Sequence, residues 1–164
     1  MDALKLLTER YSEKKLSAPA PDKHQLTQMF QAALRSPDHG RLQPYRFIVI
    51  EQDKMTELSR LLKSAVHELN LGEERLKKAE NLATRAPMII GVVAKIDPNI
   101  KKVPEWEQLL CAGCATYAIQ LAANALGFKN VWVSGPWLDG SDLRQAFQCD
   151  TADKIIGFLM IGSA

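Results

Sequence analysis

The sequence predicts an α+β fold, one layered domain over residues 1–164. Three observations carry this. Four short apolar runs of strand type punctuate the chain, segments of helical hydrophobic spacing lie between them, and the two kinds alternate irregularly, without a βαβ rhythm. At 164 residues the chain is long enough for one substantial core and short for two.

Residues 2–9 read as a short helix with Ala3, Leu4 and Leu7 on one side. "APAPD", Ala18 to Asp22, is a stiff turn. Asp22 is placed to cap the next helix, and Gln25 three residues on completes a capping box. Leu26, Met29, Phe30, Ala33 and Leu34 then keep helical spacing to Arg35. Ser36-Pro37 ends that helix, since proline disfavours a helical conformation in the residue before it.

Phe47 to Ile50 is a buried strand. Met55, Leu58, Leu61, Leu62, Ala65, Val66 and Leu69 mark a long helix that stops at Gly72, and a polar helical segment runs on to Thr84. "APMIIGVVAK", Ala86 to Lys95, is the second strand, and Pro98 to Pro104 a connector. Trp106 to Gly127 is the longest helix. It is apolar nearly all round, with small residues at Ala112, Gly113, Ala115 and Ala118, so it must be covered on every side by the core or by a second subunit. "NVWVSG", Asn130 to Gly135, is a third strand. Ser141 or Asp139 then caps a short helix bearing Leu143 and Phe147, and Lys154 to Gly162 is the fourth strand.

Composition excludes several classes of function. Apolar residues are 46% and charged residues 24% of the chain, the balance of a globular protein. Net charge is +2 with no dense Lys/Arg block, which argues against nucleic acid. "ERLKKAE" around Lys77 alternates sign like a solvated helix face. The opening "MDALKLLTER" is amphipathic and lacks the apolar core of a secretory leader. The long apolar helix is interrupted by Gln120 and Asn124, as a buried helix is and a membrane span is not. Three cysteines do not make a disulfide framework, so the expected compartment is the reducing cytoplasm.

Candidate chemistry is sparse. Cys111-Ala-Gly-Cys114 has the spacing of a redox or half-zinc site, but no second ligand pair exists and the motif lies within the apolar helix, so both cysteines read as small packing residues. No phosphate-loop, dinucleotide, nucleophile-elbow or zinc-protease motif occurs. His24 and His67 read as exposed. "RYSEKK" sets Arg10, Ser12 and Lys14 at alternate positions after the first helix. In extended backbone they would converge on one side and could grip a phosphate; the alternative is a solvated basic turn.

Taken together, "MDALKLLTERYS", "APAP", "RSPDHGRLQPYRFIVI", "RAPMIIGVVAK", "VPEWEQLLCAGCA", "ALGFKNVWVSG" and "DKIIGFLMIG" stand in an order that resembles the FMN-dependent nitroreductase family, in particular its small NAD(P)H nitroreductase subgroup. The resemblance implies a three-layer fold, a central mainly antiparallel sheet flanked by helices, in an obligate homodimer with FMN at the subunit interface. It implies an oxidoreductase that uses NADH or NADPH to reduce nitro, quinone or similar acceptors, with no membrane or nucleic-acid partner. Arg10, Tyr11 and Ser12, extended by Lys14, match the flavin phosphate and ribityl motif. Arg35 and His39 match positions that reach the flavin of the other chain. Trp132, Val133 and Ser134 match the segment along the isoalloxazine ring. Ala122, Ala123, Asn124, Ala125, Leu126 and Gly127 match a stretch associated with the nicotinamide nucleotide.

The hard chemistry then belongs to the flavin, and neither a side-chain nucleophile nor an indispensable general base is expected. Tyr11, Tyr45 and Val133 depart from the family pattern, which has Arg, Trp and, in close relatives, Arg there. Family members also continue beyond the position of Ala164, in a tail that helps embrace the neighbouring subunit. These departures favour an alternative: a flavin-holding homologue without useful turnover, or an interaction protein.

Overall fold

In a computed structural model, residues 2–164 are described. The strands are β1 (Tyr45–Ile50), β2 (Met88–Ala94), β3 (Lys129–Val133) and β4 (Lys154–Gly162), in the order β1-β2-β4-β3 with every neighbouring pair antiparallel. The helices are α1 (Ala3–Glu9), α2 (Lys23–Ala33), α3 (Met55–Glu68), α4 (Glu73–Leu82), α5 (Glu105–Ala125) and α6 (Ser141–Ala146).

The sheet separates two cores. On one face Leu58 and Leu62 of α3, Leu82 of α4 and Leu143 of α6 pack on Ile89, Val93 and Phe158. On the other, Met29 of α2 and Ala115, Ile119 and Ala123 of α5 pack on Ile90, Val92 and Leu159. Every residue of β2 is buried, because both its faces are covered. That explains why "MIIGVVA" is apolar throughout instead of alternating.

Element boundaries agree with the sequence reading to within about two residues at most ends, the usual fraying distance. The capping box is present: Asp22 accepts from the Gln25 N–H and Gln25 accepts from the Asp22 N–H, at 2.8 and 2.9 Å. Two details differ. β1 begins at Tyr45, because the Tyr45 and Phe47 rings lie 5.3 Å apart and Phe47 stacks on Phe30 of α2 at 5.5 Å. Neither Asp139 nor Ser141 caps α6. Gly140 holds the cap position, close enough to α3 that a Cβ would fall 2.3 Å from that of Ala65. Ser141 instead gives its N–H and hydroxyl to the Glu68 carboxylate at the end of α3, the N–H bond being 2.8 Å.

The longest helix divides its apolar surface. Ala115, Ile119 and Ala123 are fully buried against the sheet, and Ala112 is fully buried too. The outer face leaves Trp106, Leu110 and Tyr117 exposed at 62%, 59% and 38%, with Gly113 between them. This chain alone therefore covers only half of the helix. Among the described residues, no helix is long and apolar enough to cross a membrane.

Candidate functional site

The segment after α1 is strapped along the β3 edge of the sheet. The Glu13 N–H donates to the Asn130 carbonyl at 3.0 Å, and Ser17 and Ser163 exchange both backbone bonds at 2.8 and 2.7 Å. Asn130 is itself held from within: Gln120 Nε2 donates to its Oδ1 at 2.9 Å, and its Nδ2 donates to the Gln120 carbonyl at 3.1 Å. The strap is thus pinned to Asn130 of β3 at one point and to Ser163, just past β4, at another.

At its start lies a cleft of about 230 Å³ lined by Lys5, Glu9, Arg10, Tyr11, Asn124 and Lys129, with Gly127 at its rim. Arg10 has φ −63° and ψ 142°, polyproline-like backbone with a period of three rather than two. Arg10 and its neighbour Tyr11 thus line one cleft, while Ser12 and Lys14 are exposed further along. The Lys129 ammonium sits 4.8 Å from the centre of the Tyr11 ring.

In the wall of the cleft, Arg10 Nε and Nη2 are buried without a hydrogen-bond partner, and so is Asn124 Oδ1. Asn124 spends its amide on the Phe128 carbonyl at 2.9 Å. Buried polar groups in folded proteins are nearly always paired, and leaving a guanidinium unpaired is costly. A pocket that keeps one in reserve suits an anion.

The rest of the 122–127 stretch does not join them. Ala123 is fully buried in the core, Ala122 and Leu126 pack against it, and Ala125 is exposed away from the cleft lining. Only Asn124 and Gly127 reach the cleft.

At the other end of β3, Trp132 donates its indole N–H to the Ile156 carbonyl at 3.1 Å, and its ring occupies the space over Gly157. Val133 packs on the core. These side chains are structural, and what the segment offers a ligand is its backbone and Ser134. The Ser134 and Gly135 N–H groups make no hydrogen bond among the described residues. A cleft of about 490 Å³ opens here, between Trp132 and Ser134 on one wall and Leu109, Leu110 and Gly113 of the outer α5 face on the other.

Arg35 and His39 are elsewhere. Both precede β1, at the opposite edge of the sheet, and are exposed. Three strand spacings put the two edges about 14 Å apart. His39 Nδ1 pairs with Glu107 Oε2 in the first turn of α5 at 2.5 Å. Its turn is shaped by Asp38, whose carboxylate accepts the Leu42 and Gln43 N–H groups at 3.0 and 2.8 Å. Gly40, at φ 77°, lies so close to Val103 that a Cβ would meet it at 3.2 Å. One chain does not gather all the expected residues into one place.

The cysteine pair differs from the sequence reading, because Cys111 is buried but Cys114 is exposed. Burial, with the Asp38 carboxylate beside it, pushes the Cys111 thiol up to about 12. As expected, His24 and His67 are exposed.

Sequence reasoning missed one constellation. On the other flank of Val133 and Ser134 is a cleft of about 420 Å³ lined by Arg75, Lys78, Arg85 and Trp137. No spacing marks it in the sequence, because its cations come from a helix face and a loop that meet only in the fold.

Comparison with known proteins fits this architecture. The profile of the nitroreductase family matches residues 7–163. A Haemophilus influenzae protein named "Putative NAD(P)H nitroreductase" is 63% identical over 163 residues, spanning 99% of this chain and 89% of that one. The crystal structure of a nitroreductase-like family protein from Bacillus cereus superposes with a TM-score of 0.85 at 20% identity, over 99% of this chain and 86% of the other. An FMN-dependent nitroreductase from Clostridium difficile gives a TM-score of 0.71 at 23% identity, over 98% and 87%.

Proposed function

Because this chain belongs to the nitroreductase family, we propose that it is a cytoplasmic, homodimeric oxidoreductase that binds FMN and uses NADH or NADPH to reduce nitro, quinone or similar small acceptors. The observation that carries the reading is the Arg10 guanidinium, held with two nitrogens buried and unpaired beside the unpaired Asn124 Oδ1. The residues fit the cofactor: a phosphate monoester would satisfy that guanidinium by charge-assisted bonds. Ser12 and Lys14, further along the strap, serve the ribityl chain. Asn124 and Gly127 are the members of their stretch available to a nicotinamide nucleotide.

FMN held there would supply the two-electron chemistry between NAD(P)H and the acceptor. The chain's own part is binding and placement. The free Ser134 and Gly135 N–H groups would be donors to a flavin bound beside the Trp132–Ser134 segment. Gly157 lets the Trp132 indole close over β4, which fixes that backbone edge. Leu109, Leu110 and Gly113 give the cleft an apolar wall.

The exposed outer face of α5, from Trp106 through Leu110 to Tyr117, supports a second subunit as its cover. A second copy would also bring its own Arg35 and His39, the positions that match residues reaching the flavin of the other chain. Val133, packed into the core where a cation could have stood, favours the second reading, a flavin holder without turnover.

One experiment separates these readings. The purified protein should carry the visible absorption of bound FMN and be bleached by NADH or NADPH without oxygen, then recover on addition of a nitroaromatic or quinone. Flavin bands that NAD(P)H leaves unbleached would establish the holder. A dimer that takes up no FMN would overturn both.

A further inference from the structure

We infer that the cleft between α4 and the Gly135–Trp137 turn is an oxyanion subsite, which takes the phosphate or carboxylate group of the molecule exchanging electrons beside Ser134. The inference rests on the proposed function for the role of that molecule, but not for the anion site itself.

The cleft, about 420 Å³, is lined by Arg75, Lys78 and Arg85 with Asn81, Ser134 and Trp137, and no carboxylate is among its lining residues. Other arginines find partners within the fold: Arg60 bonds Glu57 twice at 2.9 and 2.7 Å, and Arg46 and Arg144 donate to backbone carbonyls. Arg75 and Arg85 appear in no ion pair or side-chain hydrogen bond among the described residues. Two of the three glutamates of α4 are engaged by lysines, Glu74 by Lys78 at 3.3 Å and Glu80 by Lys63 at 3.8 Å. Lys78 is thus partly neutralised, and the two arginines carry the uncompensated charge.

Arg75 is held in a particular way. Its guanidinium carbon lies 5.4 Å from the centre of the Trp137 ring, and that tryptophan is 3% exposed. A Cβ on Gly135 would meet the Trp137 ring at 3.0 Å and Arg75 Nη1 at 3.3 Å, so the glycine lets the guanidinium close over the turn. An indole face restrains a guanidinium without using its N–H donors. The fork stays free for an oxyanion, for which two N–H groups are a geometric match.

This subsite is distinct from the Arg10 cleft. The two lie at opposite ends of β3, whose five residues span about 13 Å. A phosphate held by Arg10 cannot also occupy the Arg75 cleft, so a second anionic group is implied. It could come from the 2′-phosphate of NADPH or from the carboxylate of an acidic aromatic acceptor.

The test uses the full-length protein with tryptophan labelled by ¹⁵N, flavin-free and FMN-loaded. The Trp137 indole signal is assigned by Trp137→Phe. We expect that signal to move on titration with 2′-AMP or 4-nitrobenzoate, in both forms, and not with adenosine or 4-nitrobenzamide. An Arg75→Gln, Arg85→Gln double variant should weaken the anion by about tenfold or more, the scale of losing charge-assisted bonds. It should leave FMN affinity and NADH-driven turnover of 4-nitrobenzamide unchanged. A single Arg85→Gln variant, expected to fall between the two, guards against a folding defect in the double.

The source follows from the kinetics. A loss of NADPH over NADH preference in the double variant assigns the site to the nucleotide, and a loss confined to 4-nitrobenzoate assigns it to the acceptor. If no anion moves Trp137, or the double variant binds as before, the subsite does not exist. If FMN displaces the anion and the double variant loses FMN, the cleft is part of the flavin site and the proposal falls. Anion binding in a protein that takes up no FMN would leave the subsite standing and sink the oxidoreductase reading alone.

Discussion

Gln120 and Asn130 bond each other twice across the junction of α5 and β3, side chain to side chain at 2.9 Å and side chain to backbone at 3.1 Å, with both residues buried. The Asn130 carbonyl in turn receives the Glu13 N–H of the strap. This pair therefore sets where Arg10 to Lys14 lie relative to the strand. Asn130→Ala strands the Gln120 amide in the core. It should cost about 2–3 kcal/mol in urea unfolding and also loosen flavin binding. A variant that lost stability but kept full flavin affinity would detach the pair from the site.

Arg10→Ala should separate function from stability. The guanidinium has two nitrogens buried without partners, so removing it relieves a desolvation cost that nothing within the chain repays. Thermal stability of the flavin-free protein should hold or rise slightly. FMN affinity should fall about tenfold or more, as charge-assisted bonds to a phosphate are lost. Equal loss of both would mean that Arg10 is a structural arginine.

Gly157 is the backbone condition for the Trp132 position. Its φ is 151°, and a Cβ would lie 2.2 Å from Trp132 Nε1 and 2.7 Å from the Val133 carbonyl oxygen. Gly157→Ala must push the indole off the Ile156 carbonyl, with an expected loss of about 2–3 kcal/mol. The displaced segment is the one proposed to border the ring, so the flavin absorption bands should shift in any protein that still loads.

How legible these features were follows from how local their causes are. β2 and β4 announce themselves because a strand covered on both faces must be apolar throughout. The Asp22 cap is a four-residue pattern, found as expected. Ser141 misled because its partner, Glu68, belongs to another helix 73 residues away in sequence. Arg75 and Arg85 were hidden for a similar reason. In "ERLKKAE" a cation reads as solvent-facing, and only the fold sets one of them over Trp137. Asn124 could be named but its neighbours could not be sorted, because which side of a helix end faces a cleft depends on the packing of α5 on the sheet.

Cys111 predicts an alkaline limb of stability. Its thiol is pushed from 9.0 up to about 12 by burial and by Asp38. Below pH 9 the group is protonated whether the chain is folded or not, and its contribution is fully present. Between pH 9 and about 12 the unfolded chain ionises while the folded one does not. Stability is then lost as pH rises through that window. Urea midpoints for wild type and Cys111→Ala should converge over that window. At pH 8 buried Cys111 should resist iodoacetamide until urea unfolds the chain.

The split of the candidate residues between sheet edges gives the most demanding prediction. Arg10 lies at the β3 edge, and Arg35 lies beyond the opposite edge, about 14 Å away across four strands. If each flavin is held by Arg10 of one chain and Arg35 of the other, Arg10→Ala and Arg35→Ala homodimers should each bind FMN poorly. In the mixed dimer one site lacks both arginines and the other keeps both. Refolding the two variants together should therefore restore tight binding to about half of the sites in the mixed dimers, measured by tagging each chain differently and isolating the heterodimer. If both arginines serve a flavin within their own chain, every site in that heterodimer lacks one of them, and none recovers.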